Sequence, residues 1–126
     1  MPEEPLTRLR RLALGLPEAI EAEAWGAPTF RVKTIFAMYS EDHSHEREEG
    51  PSAWVKALPA NQDFLVKAAP ARFFVPPYVG PKGWVGVRLS VDAVDWDELK
   101  DLLWDAWQMS VPRKLLAQHP KPPPEW

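Results

Sequence analysis

At 126 residues, 45% hydrophobic and 26% charged, the chain fits one soluble domain able to bury about two-thirds of its unfolded surface. No apolar run approaches the roughly 20 residues of a membrane span, and the Met1-Pro2-Glu3-Glu4 start is acidic rather than signal-like. With no cysteines there is no disulfide framework, thiolate metal site or cysteine nucleophile, and a cytoplasmic protein is expected.

In chain order, residues 3–16 place Leu6, Leu9, Ala13 and Leu16 at helical spacing, with Gly15 and Pro17 ending the helix. Residues 19–25 alternate Ile20, Ala22 and Ala24 against Glu21, Glu23 and Trp25, as a half-buried strand does. Gly26-Ala27-Pro28 turns into a strand with Phe30 and Val32 inward and Arg31 and Lys33 outward. A third strand at 35–40 sets Phe36 and Met38 against Ile35, Ala37 and Tyr39. An acidic loop, 41–51, precedes a strand near 53–58. Asn61 reads as the N-cap of a short helix through Ala69.

The run from Phe73 to Leu89 is the most informative stretch. An apolar segment is stopped by Pro76 and Pro77, which donate no amide to a ladder. Gly80-Pro81-Lys82-Gly83 then turns the chain with Lys82 at the tip. Beyond it Val85, Val87 and Leu89 face one way and Trp84, Gly86 and Arg88 the other. Asp95 and Glu98 form a capping box for a helix with an apolar stripe of Trp96, Leu99, Leu102, Leu103, Ala106 and Trp107. Pro112 restarts a shorter helix. The proline-rich tail, 119–126, reads as extended and mobile.

Four blocks carry a family resemblance: Trp25 to Val32, Lys33 to Met38, Phe73 to Leu89, and Asp95-Trp96-Asp97-Glu98-Leu99 before Ala106. In this order, spread from about residue 6 to residue 118, they resemble the MmcQ/YjbR family of small bacterial proteins. The resemblance implies a frataxin-like (CyaY-like) fold and DNA binding through a double-wing surface, and it brings no established enzymatic activity. The chain departs from the family in the link from Val32 to Phe36, which is tighter than a Gly-rich hairpin. The expected architecture is a single α+β domain over residues 1–118. Its antiparallel sheet has about five strands, with the N-terminal and C-terminal helices on one face.

The net charge of −3 is unevenly spread: residues 41–49 and 92–105 together carry −9 and leave +6 elsewhere. The residues expected to meet nucleic acid, double-stranded DNA in the first instance, are Arg31, Lys33, Lys82, Trp84 and Arg88. The alternative is a protein-interaction module whose sheet face docks a partner through Trp84, Tyr78 and Trp25. A frataxin-like metal carrier using Asp97, Asp101 and Asp105 stands behind both, since those carboxylates equally form the solvated side of a helix. His43 and His45 sit in the acidic loop without the geometry that fixes a metal. No catalytic residue, small-molecule cofactor or membrane partner is expected. Among the carboxylates, Glu21 and Glu23, beside Trp25, are the ones a hydrophobic pocket would turn into a catalytic base.

Overall fold

The computed structural model describes residues 4–41, 50–90, 92–124 and 126. Its sheet begins with a two-residue turn. Ile20–Ala24 (β1) and Ala27–Arg31 (β2) pair antiparallel with Ala24 opposite Ala27, so Trp25 and Gly26 make the whole connection. Their φ values, +53° and +76°, are both positive, as a type I′ turn requires. Trp25 therefore belongs to the hairpin tip, not to the first strand.

Ile35–Ser40 (β3), Ser52–Val55 (β4), Phe73–Phe74 (β5) and Val85–Arg88 (β6) complete a six-stranded sheet in the order β1-β2-β3-β4-β6-β5. Every bonded pair is antiparallel. The strand missing from the sequence reading is β5, two residues long, too short to leave a periodic signal. It reaches the edge because the chain crosses from β4 through Pro59–Ala68 (α2) and returns as β6 between the two.

A β-bulge corrects the facing of the third strand. Phe30 lies opposite Ala37 while Arg31 lies opposite Ile35, so Phe36 is an extra residue. Phe36 and Ala37 accordingly both join the helix-side core, and Ile35 packs on the other face. The bulge adjoins the tight Val32–Phe36 link.

One face of the sheet is covered by Pro5–Leu14 (α1), Trp96–Ser110 (α3) and the short Arg113–Gln118 (α4). Leu9, Leu12 and Ala13 of α1 and Leu99, Leu103, Ala106 and Trp107 of α3 meet Phe30, Tyr39, Val55, Val85 and Val87 of the sheet. Each Leu, Val or Phe among them contributes about 1.5–3 kcal/mol on burial, which is what fixes the helices to this face. Trp107 is fully buried with its indole N–H donating to the Pro17 carbonyl at 3.0 Å, so its one polar group is satisfied.

The helix ends differ in part from expectation. Asp95 caps α3 by accepting from the Asp97 and Glu98 amides at 3.1 and 3.2 Å. Glu98 does not complete the box; its carboxylate pairs with Arg72 instead. In α2 the cap position is Leu58, because Pro59 fits the first helical turn where no amide is needed, and Asn61 lies inside the helix. The tail expected to run free returns to the domain. Trp126 packs against the core and donates its indole N–H to the Leu12 carbonyl, while Lys100 Nζ donates to the Trp126 carbonyl at 2.6 Å.

Candidate nucleic-acid interface

Among the described residues no helix covers the other face of the sheet. Its strands bring up Met38, Trp54 and Phe74, which gather with Trp84 into a second cluster flanked by Ile35 and Val79. Phe74 lies directly on Gly86: a Cβ there would stand 2.4 Å from the ring, so the missing side chain is what lets the ring lie down. The connection from β5 to β6 closes over this cluster through Val79 and passes into a 3-10 turn at Gly80–Lys82. Gln62 of α2 holds the turn, donating to the Gly80 and Trp84 carbonyls at 2.8 and 2.6 Å. The predicted basic wing is thus tied down against α2, with Lys82 exposed on it.

Beside the cluster opens a groove of about 890 Å3 with Met38 and Trp54 among its lining residues, Trp25 and Tyr78 on it, and Ser40 and Glu41 at the end of β3. Trp25 is 83% exposed and Tyr78 76%. Both hold left-handed backbone, φ +53° and +65°, where a side chain with a Cβ is strained by about 1–2 kcal/mol. Burial first, then the charges of Glu41 and Glu4 and a hydrogen bond to Glu41, raise the Tyr39 phenol above its ordinary range.

Charge is segregated between the two faces. Arg31 and Arg88 lie on the open face. Arg31 Nη2 donates to Thr29 Oγ1 at 3.0 Å, and Thr29 is the cross-strand neighbour of Met38. Arg31 Nε is buried with no hydrogen-bond partner. Arg88 stacks on Phe74, its Cζ 4.8 Å from the ring centroid, and lies opposite Ser52, which accepts the Trp54 indole N–H at 3.1 Å. Among the described residues no strand carries an Asp or Glu on this face. Glu21 points to the helical side, where Arg10 clamps it at 2.6 and 3.0 Å, and the exposed Glu23 shares that side. Neither lines the groove.

A lysine cluster lies at one end of the sheet. Lys56 donates to Thr34 Oγ1 at 3.1 Å, and burial first, then the charge of Lys82, lowers its pKa. Lys33, exposed, is the neighbour of Thr34 in the β2–β3 turn. Of the predicted residues, Lys33 and Lys82 come to this end, Arg31 lies on the open face near it, and Arg88 lies at the other end. Trp84 is only 7% exposed, underneath the cover it helps to form, and offers no face for stacking. The sequence reading passed over Lys56, although its place two residues after Trp54 in a strand was the signal. His43 and His45 lie outside the described residues. Among the described residues no group of three or more His, Cys, Asp or Glu is placed to hold a metal ion, and no helix is long and apolar enough to cross a membrane.

The class defined by this geometry is a two-layer α+β domain with one helix-covered and one open sheet face. The family model for YjbR matches residues 14–109, and the chain belongs to the YjbR family. It is similar in structure to a Deinococcus radiodurans protein, DR2400, of domain family DUF419, with a TM-score of 0.72 over 93% of this chain and 91% of that one. At 18% identity this likeness shows the fold. Comparison with curated proteins gives no match.

Proposed function

We propose that this protein is a non-enzymatic DNA-binding protein that grips phosphates with its open sheet face and the adjoining lysine end. The observation that carries the reading is the charge segregation. Arg31 and Arg88 stand on a face whose strands bear no carboxylate among the described residues, while the acids gather on the helical side. Phosphate contacts position a protein without reading sequence, so binding is salt-sensitive and only weakly sequence-dependent. The test is titration of a labelled duplex over a salt series. Alanine at Lys33, Lys56 or Lys82 is expected to weaken binding uniformly across sequences and lower the log–log salt slope by about 0.9 per lost contact. Absence of retention of duplex and single-stranded DNA alike at low salt sinks the reading.

The exposure of Trp25 and Tyr78 favours a second reading, docking of a protein partner on the same face, because aromatic anchors dominate protein interfaces. Binding that is indifferent to salt and lost on replacing those two residues supports it over DNA.

A further inference from the structure

We infer that the groove between Trp25 and Tyr78 takes an unpaired nucleobase, so that the open face prefers single-stranded nucleic acid, or DNA with an unpaired base, over intact duplex. This rests on the phosphate-binding reading and deepens it.

The turn between β1 and β2 shows what the residues at the groove are for. Two-residue type I′ turns favour Asn-Gly, because asparagine tolerates left-handed backbone. Here the position before Gly26 is a tryptophan, strained and mostly in solvent. Neither folding nor turn chemistry recommends that choice. Tyr78 repeats it from a different part of the chain: left-handed backbone, an exposed ring, and a place on the same groove. Residues in strained backbone gather at ligand sites, where the surrounding structure holds them in place.

The surroundings select the ligand. Met38 and Trp54 offer an apolar lining, and Arg31 and Arg88 stand on either side of it on the same face, each one residue pair removed from Met38 or Trp54. An apolar slot with aromatic rings between two guanidinium groups matches a base with its flanking phosphates, the combination that single-strand binders use. Glu41 is the exception in sign, and its carboxylate is engaged by the Tyr39 phenol, which belongs to the helix-side core, so the phosphate backbone runs on the arginine sides. The bases of an intact duplex are stacked and paired, and entering the groove would require one of them to be flipped out.

The experiment is fluorescence anisotropy of a labelled 12-nucleotide oligocytidine, an oligothymidine of the same length, and a mixed-sequence duplex, each at about 50 mM salt. Both oligonucleotides are expected to bind more tightly than the duplex. Trp25→Asn keeps the turn chemistry and therefore the fold; it is expected to weaken single-strand binding about tenfold and collapse the preference over duplex. Tyr78→Asn, also at home in left-handed backbone, is expected to do the same. Lys82→Ala lowers the salt slope and leaves the preference standing. Equal binding of single strand and duplex, untouched by Trp25→Asn, overturns the inference and leaves the phosphate reading intact. Failure to bind either form overturns both. Self-association of the protein alone in sedimentation, lost in Trp25→Asn, also overturns it and gives the groove to a second copy of the chain.

Discussion

On the helix-covered face of the sheet, Ala37, Ala53, Val55, Val85 and Val87 pack with the rings of Phe30, Phe36, Phe73 and Tyr39 against leucines and Trp107; on the open face, Met38, Trp54, Phe74 and Trp84 are all large, and Arg88 stacks on Phe74. Small aliphatic residues let a helix approach the sheet closely, and the covered layer carries no charge. The open cluster ends instead in a guanidinium over an aromatic face, which keeps its charge toward water. One face holds the domain together; on the proposed reading the other is the one that binds.

That division is broken or sharpened by substitutions chosen one from each side. Trp107→Ala, on the covered face, is expected to lose about 3–5 kcal/mol of stability in urea unfolding, because it opens a cavity and strands the Pro17 carbonyl. Gly86→Ala, on the open face, is expected to lose about 1–3 kcal/mol, since the added methyl drives into the Phe74 ring. If the loss at Gly86 equals that at Trp107, both faces are structural and the contrast fails. Trp25→Asn should go the other way, gaining about 1 kcal/mol as the turn strain is relieved, while single-strand binding falls. A variant that gains stability and loses binding marks the residue as functional.

The smallest expected effect lies on the solvent side of α3. Asp105 lines a cavity of about 210 Å3 with Lys56 and Phe64, and burial first, then the charge of Asp101, raises its pKa above the ordinary 3.8. A carboxyl whose pKa is raised in the fold stabilises only when protonated, below the unfolded value, and that contribution is lost as pH rises through the folded value. Asp105→Asn is therefore expected to be more stable than the parent at pH 7, with the difference shrinking as pH falls toward 3.8, measured by urea unfolding at the two ends. An advantage that persists unchanged in acid removes the titration as its cause.

Much of the fold was legible because its signals are local. The stripes of α1 and α3, the Asp95 cap and the alternation in β6 follow from periods of 3.6 and 2 within single segments. What escaped depends on neighbours. The bulge at Phe36 is defined only against β2, β5 is a strand only because β6 is beside it, and the tail is held only because α1 and α3 offer a seat. The site divides the same way. Arg31 and Arg88 were readable as outward because strand alternation is local. The burial of Trp84 was not readable, because its cover is the fold-back around Val79.

The seat of Trp126 has a kinetic consequence. It joins residue 12 to residue 126, so its indole, bonded to Leu12, closes nearly the whole chain into one loop. Contacts across the longest loops carry the greatest closure entropy and form after the local ones are in place. The clasp is therefore expected to form late in folding and to open as a local fluctuation while the sheet stays intact. On release the Trp126 indole N–H and the Leu12 carbonyl pass to water while the Gly15 amide keeps its bonds to the Arg11 and Leu12 carbonyls, so the clasp is expected to breathe separately from unfolding.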